Sequence, residues 1–213
     1  DKQAMVDNIL NNGSLPANYL VPTDFTTHPE TGETFRDING DLMTYDPELA
    51  QEYWQKGSEE LGEDSLEIEY LGDDSDTAKI MSEFLKNQLE TNLPGLTLNI
   101  KAVPFEQRLD LSTNQDYDIV HSGWGPDFMD PSSYLNIYNS HSGDMLTTLG
   151  LDADATVQGE DPGKAAKEAL KLSEYDALLD KAAAITDDVN KRYEAYAEAE
   201  AWLVENVIQI PIF

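Results

Sequence analysis

The sequence has no cysteine, few cations and no long apolar run, and each absence removes a class of function. Without cysteine, its 213 residues can form no disulfide, thiol nucleophile or cysteine-based zinc site. No stretch approaches the roughly 18 apolar residues that a membrane-spanning helix needs. Only 13 lysines and arginines oppose 42 aspartates and glutamates, and the formal net charge is −29. Because phosphates and anionic lipids attract clustered cations, neither nucleic acid nor an anionic membrane surface is expected as a partner.

Catalytic motifs are also missing. The sequence contains no Gly-x-Ser-x-Gly, no His-Glu-x-x-His and no glycine-rich phosphate-binding loop. Its three histidines, His28, His121 and His141, lack the i, i+4 spacing of a metal-binding helix. We therefore expect no enzymatic activity, no cofactor and no metal site.

Three acidic clusters, at residues 37–41, 73–76 and 152–154, raise the alternative of calcium binding. The first lacks the glycine placement and the terminal glutamate of an EF-hand loop. Carboxylates also cap helices and occupy solvated loops, and this interpretation is favoured for all three clusters.

Apolar periodicity predicts strands and helices in alternation through the middle of the chain. Alternating patterns predict strands at 66–71, 96–103 and 117–121. Helical patterns at 76–92 and 105–112 separate these strands. The order indicates an α/β fold with at least partly parallel pairing. The 19 aromatic residues, three Trp, ten Tyr and six Phe, predict a packed core despite the acidity.

Helices are predicted for most of the remaining chain. Asp46 and Pro47 supply the cap and first position of one of them. The other predicted helices lie at about 2–11, 131–138, 172–185 and 187–206, with irregular stretches at 14–44 and 140–171 and a final strand at 208–213.

The most informative stretch is residues 105–135. A predicted strand runs into His121–Trp124, and a turn with Gly125, Pro126 and Asp127 follows it. Such a strand end presents backbone polar groups and an aromatic ring at a sheet edge, as in proteins that bind an extended peptide. A core tryptophan followed by an aspartate-capped turn accounts for these residues equally well.

A wider set of residues adds a family resemblance. The residues concerned are Phe105, Leu109-Asp110, Tyr117-Asp118, Gly123-Trp124, Asp127, Asp130-Pro131 and Tyr134-Leu135, with Tyr45-Asp46-Pro47-Glu48-Leu49-Ala50 before them and Ile210-Pro211-Ile212 after them. The pattern resembles the peptide/nickel-binding family of ABC-transporter substrate-binding proteins, which includes the oligopeptide- and dipeptide-binding proteins. It departs from that family where Phe105 replaces a frequent tryptophan, and where His121 rather than an arginine or lysine precedes Ser122.

The resemblance implies an α/β fold that forms one lobe of a two-lobed, type II periplasmic-binding-protein-like architecture, with a mixed sheet flanked by helices. Residues 1–213 would be a single domain, the second (C-terminal) lobe, with the first lobe missing. The chain opens directly in a helical pattern with no visible signal peptide, as expected for a piece of a longer protein.

The implied function is that of an extracytoplasmic solute-binding protein that captures peptides for an ABC import system. The candidate ligand-binding residues are Phe105, His121, Ser122, Gly123, Trp124, Gly125 and Asp127. Asp127 would pair with the free α-amino group of a peptide held as an extended strand. Backbone groups at His121 and both glycines would bond its main chain, and Trp124 and Phe105 would wall side-chain pockets.

The implied partners are a peptide ligand and the permease subunits of an ABC transporter. The resemblance implies a monomer outside the cytoplasm, either a cell-surface lipoprotein or a periplasmic protein, with any lipid anchor outside these residues. The alternatives are a non-peptide ligand in the same family (a nickel chelate, haem or a sugar), a pheromone, or a surface adhesion or structural module. The pair Trp124 and Asp127 favours an amine-bearing ligand over a sugar.

Overall fold

The computed structural model describes residues 1–28, 30–151 and 162–213. The chain forms two compact units. The sheet unit comprises residues 1–16, 45–123 and 213, and the helical unit comprises residues 17–44 and 124–212. That the chain is a single domain, the second lobe of a longer protein, stays a prediction.

The elements follow in chain order. The helices are α1 (Lys2–Met5), α2 (Phe35–Asn39), α3 (Pro47–Leu61), α4 (Asp76–Asn92), α5 (Phe105–Thr113), α6 (Ser132–Leu135), α7 (Pro162–Ala169), α8 (Leu172–Ala183) and α9 (Val189–Glu205). The strands are β1 (Leu66–Asp73), β2 (Leu96–Val103) and β3 (Ile119–Val120). A π-helical turn, Val6–Leu10, continues α1, and a 3-10 turn, Asn136–Tyr138, continues α6. In the described part of the chain, no helix is both long and apolar enough to cross a bilayer.

The sheet has the order β2-β1-β3, and both strand pairs are parallel. Leu66 pairs with Leu96 and Tyr70 pairs with Ile119. The α/β class is confirmed, but the pairing is parallel rather than mixed. Helices α4 and α5 connect successive strands, and such helical crossovers return the chain in the same direction.

This strand order creates a topological switch point next to β1. From β1 the chain moves to β2 on one side, then crosses to β3 on the other side. In open α/β sheets, ligands bind at the carboxyl ends of two neighbouring strands whose connections diverge in this way. Here the two strands are β1, which ends at Asp73, and β3, which is followed by His121.

Caps fix the helix starts near this sheet. The Asp46 carboxylate accepts a hydrogen bond from the Leu49 backbone N–H at 2.9 Å, which confirms the predicted start of α3. Ser75, rather than an aspartate of the same acidic cluster, caps α4 by accepting from the Ala78 N–H at 3.3 Å. Asp37, in another acidic cluster, forms a capping box at the start of α2. Residues 152–154 lie outside the described residues.

The helical unit has a larger apolar core, built around α8 and α9. Among its most buried side chains are Tyr175, Tyr196, Phe35, Leu135 and Leu203. The Tyr175 hydroxyl donates to the Leu135 carbonyl oxygen at 2.7 Å, which satisfies a buried polar group. Its ring stacks on that of Trp202, with centroids 5.4 Å apart.

Glu200 on α9 lies at the centre of a buried polar cluster and is 0% exposed. One carboxylate oxygen accepts from the backbone N–H groups of Leu20 and Val21 at 2.9 and 2.8 Å. The other accepts from the Arg36 guanidinium and, at 2.9 Å, from the Asn39 side-chain amide. The segment 17–44, part of the stretch 14–44 predicted as irregular, is therefore attached to α9 through this carboxylate, and the Asn39 amide also donates to the Ala197 carbonyl oxygen at 2.8 Å.

Two strand predictions need correction. The predicted strand 117–121 is shortened to Ile119–Val120, because the Asp118 carboxylate, instead of a backbone carbonyl, takes the Glu69 N–H at 2.8 Å. Residues 208–213 form no strand. Pro211 has no N–H to donate, and Ile212 makes one backbone link, accepting from the Ala17 N–H at 3.0 Å.

Candidate ligand-binding site

The carboxyl edge of the sheet carries an arginine–aspartate pair. Arg108, in the first turn of α5, donates from Nε to Asp73 Oδ1 at 2.7 Å. Its guanidinium carbon lies 5.0 Å from the centroid of the Phe105 ring, within the range of a cation–π contact. Arg108 is only 5% exposed, whereas Phe105 is 55% exposed. Phe105 therefore presents an open aromatic face beside a fixed charge pair.

His121 continues the ladder one residue beyond β3. Its backbone N–H donates to the Leu71 carbonyl oxygen at 2.9 Å. Burial lowers the pKa of its imidazole, and the nearby Arg108 lowers it further, while Asp73 acts in the opposite direction. The ring is therefore neutral at pH 7, so His121 does not supply the positive charge of the arginine or lysine that it replaces.

Ser122, Gly123 and Gly125 are exposed. A β-carbon added to either glycine would meet no atom of the described residues within 4 Å, apart from those of its own chain neighbours, and neither glycine is left-handed. The fold itself therefore does not require glycine at these two positions. Glycine also serves where another molecule must approach the backbone closely.

In the helical unit, Ser133 closes the loop that begins at Trp124. The indole N–H of Trp124 donates to the Ser133 carbonyl oxygen at 2.7 Å, and the Asp127 backbone N–H donates to Ser133 Oγ at 2.9 Å. Trp124 is half-buried and packs against the apolar core. The core-tryptophan interpretation thus describes its ring correctly, while Asp127 stays exposed.

Two aspartates of this loop have different environments. Asp130 forms a two-point ion pair with Arg192 of α9, at 2.5 and 2.8 Å, and accepts from Ser132 Oγ at 2.6 Å. The Asp127 carboxylate accepts no hydrogen bond from the residues that the structure describes, and the exposed side chains of Phe128 and Met129 follow it. Asp130 thus anchors the loop, and Asp127 is available to a ligand.

The sequence did not assign the roles of Arg108 and Asp130. Asp130 belonged to the family pattern, but nothing local indicates its partner, which lies 62 residues away. Arg108 stands three residues after Phe105, and this spacing brings two side chains together on a helix. The spacing was the sequence signal from which their contact could have been predicted.

Asp130→Asn is expected to lower the free energy of unfolding at pH 7. Burial raises the pKa of Asp130, but hydrogen bonds from Arg192 and Ser132 outweigh it, so the pKa lies below its ordinary value. The stabilisation is therefore present above the unfolded-state pKa, about 3.9, and is lost as pH falls through the lower folded-state value. Urea unfolding at pH 7 and at pH 3 checks this. If the free energies of unfolding of the wild type and Asp130→Asn differ by the same amount at both pH values, the expectation is contradicted.

No group of three or more histidine, aspartate or glutamate side chains in the described ranges is arranged to hold a metal ion. Asp73, in one of the acidic clusters, is already paired with Arg108.

The fold is that of the type II periplasmic peptide-binding proteins. The whole chain superposes on a solved peptide-binding protein of a peptide ABC transporter, with a TM-score of 0.81, 30% identity and 85% of that chain covered. It also superposes on Listeria monocytogenes OppA bound to peptide, with a TM-score of 0.80 and 35% identity, covering 36% of that chain.

Residues 1–145 match the model of the bacterial extracellular solute-binding proteins, family 5 (middle region), and the chain belongs to this family. It is also 36% identical over 205 residues to the dipeptide-binding protein of Lactococcus lactis subsp. cremoris. That alignment covers 94% of this chain and 33% of the relative, so the chain spans about a third of that protein's length.

Proposed function

We propose that the chain is the second lobe of an extracytoplasmic solute-binding protein that captures peptides for an ABC importer, and that it is not an enzyme. The observation that carries this is the stretch His121–Asp127, which follows the carboxyl end of β3 and combines accessible backbone with a carboxylate free of described partners. The peptide-bound Listeria relative and the dipeptide-binding Lactococcus relative support a peptide as the ligand.

Each candidate residue has a proposed role. The Asp127 carboxylate pairs with the α-ammonium group of the peptide in a charge-assisted hydrogen bond. Backbone groups from His121 to Gly125 bond the peptide main chain, which gives affinity without demanding a particular side chain. The rings of Phe105 and Trp124 wall side-chain pockets.

The partners and location are part of the same proposal. The protein acts as a monomer outside the cytoplasm, as a cell-surface lipoprotein or in the periplasm, and delivers its ligand to permease subunits. The family's description as extracellular solute-binding proteins supports this location.

Ligand capture tests the proposal directly. The full-length protein that contains these 213 residues is incubated with a tryptic digest of casein, and the retained molecules are identified by mass spectrometry. Retention of peptides with free amino termini is expected. Failure to retain any peptide, together with binding of a nickel chelate, haem or a sugar, would overturn the proposal.

Gly123→Ala and Gly125→Ala should each weaken peptide binding by about tenfold, because a methyl group there separates the ligand backbone from its hydrogen-bond partners. Neither change should alter the melting temperature, since both positions open onto empty space. Calorimetric titration and thermal unfolding measure the two effects.

Gly143→Ala is the matched control. A β-carbon there would lie 2.3 Å from the Ile137 carbonyl oxygen, so this variant should lose stability. Unchanged peptide affinity in both Gly123→Ala and Gly125→Ala would contradict the proposed main-chain contacts.

A further inference from the structure

Arg108 has hydrogen-bond donors that the described residues do not use. A guanidinium has five N–H donors, and the Nε of Arg108 is taken by Asp73. No described residue accepts a hydrogen bond from either Nη atom of Arg108. Neither Nη is among the fully buried unpaired atoms of the described residues, so both keep contact with solvent. A side chain that is 7% exposed thus keeps four N–H groups that no described residue accepts.

The position of Arg108 is defined by its neighbours. Asp73 is the last residue of β1, and the Phe105 ring lies against the guanidinium. Both contacts hold the side chain at the carboxyl edge of the sheet, beside the end of β1. A donor fixed in advance loses less conformational entropy on binding than a mobile surface arginine does.

The charge of Arg108 determines which acceptor fits. Asp73 already balances the guanidinium with a full negative charge. A ligand carboxylate would leave this site with an excess negative charge, in a chain whose formal net charge is −29. A neutral carbonyl oxygen can accept from the Nη groups without that repulsion.

We propose that Arg108 is a further ligand-binding residue, whose Nη groups donate hydrogen bonds to a neutral main-chain carbonyl oxygen of the bound peptide. The inference rests on the proposed function, because it takes a peptide as the ligand. It adds a side-chain donor to the main-chain contacts proposed for His121–Gly125. Because the acceptor is a neutral carbonyl oxygen, this hydrogen bond does not depend on the charge of the peptide.

A purely structural role for Arg108 is the competing interpretation, in which it only ties α5 to β1. Arg108→Lys separates the two, because lysine keeps the positive charge near Asp73 but lacks the planar Nη pair. Arg108→Gln is the second variant, since it holds Asp73 by a neutral hydrogen bond. The variant whose melting temperature lies closer to that of the wild type is used for binding.

The test uses the full-length protein and the casein peptide that it retains most tightly, synthesised with a free and with an amidated carboxyl terminus. Calorimetry should show about 10- to 100-fold weaker binding of both forms by the variant. Arg36→Lys is the control, because it changes another buried arginine that pairs with a carboxylate, in the core of the helical unit. It should leave peptide affinity unchanged.

Two outcomes overturn the inference while leaving the proposed function intact. One is a peptide affinity in the Arg108 variant equal to that of the wild type, which would show that the role of Arg108 is purely structural. The other is a loss confined to the peptide with a free carboxyl terminus, which would show that Arg108 recognises a carboxylate. If the wild-type protein retains no peptide, the proposed function has failed, and the Arg108 contact fails with it.

Discussion

Asp127→Asn should weaken the binding of a free peptide by about 30-fold to several thousand-fold. Removing one member of a charge pair that is desolvated in a complex commonly costs about 2–5 kcal/mol, because the other charge is left buried and unpaired. Asparagine keeps the shape of the side chain and leaves the backbone N–H bonded to Ser133 Oγ. The loop therefore keeps its structure while the ammonium group loses its partner.

The measurement compares a retained peptide with its N-acetylated form in the full-length protein. The wild type should prefer the free amine, and Asp127→Asn should lose most of that preference. Asp130→Asn is the matched control on the same loop, because Asp130 is paired with Arg192. This substitution should lower the free energy of unfolding rather than the preference for the free amine. An equal preference for the free amine in wild type and Asp127→Asn would show that the amine is recognised elsewhere.

Glu200→Ala should destabilise the helical unit by about 3–5 kcal/mol. Breaking a buried ion pair by removing one partner leaves an uncompensated charge, here that of Arg36. It also removes the acceptor of the Leu20 and Val21 backbone N–H groups. Glu200→Gln should cost less, because its amide oxygen can still accept from those two groups. Urea unfolding gives the free energies.

Glu198→Ala provides the comparison on the same helix. Glu198 pairs with Lys181, and both side chains are 53% exposed. Exposed pairs of this kind contribute at most about 1 kcal/mol. If Glu200→Ala and Glu198→Ala shift the urea midpoint equally, the buried cluster does not have the stabilising role assigned to it.

Local patterns were sufficient to predict most helices and strands of the sheet unit. Alternating apolar residues identified β1 and β2, and Asp46 with Pro47 identified the start of α3. These signals act within a few residues, so they can be read without knowing the tertiary fold. The prediction of a final strand at 208–213 is wrong for the opposite reason. An apolar pattern does not show whether a partner strand is available, and no described strand pairs with this segment.

The candidate site was predictable only in part. The sequence drew attention to His121–Asp127 and to Phe105, but it could not show that Asp127 is free while Asp130 is paired. Arg108 was missed because its role comes from Asp73, 35 residues away in the sequence. Burial, charge pairing and unused donors are properties of the folded chain, so they become visible only in the structure.

The loop from Trp124 to Asp130 separates the positions that hold it in place from those available to a ligand. Ser133 and Arg192 fix the loop through the Trp124 indole, the Asp127 backbone and the Asp130 carboxylate. The exposed side chains at 127–129 take no part in these bonds. A library randomised at these three positions should therefore yield mostly folded proteins, and new ligand preferences could be selected without rebuilding the scaffold.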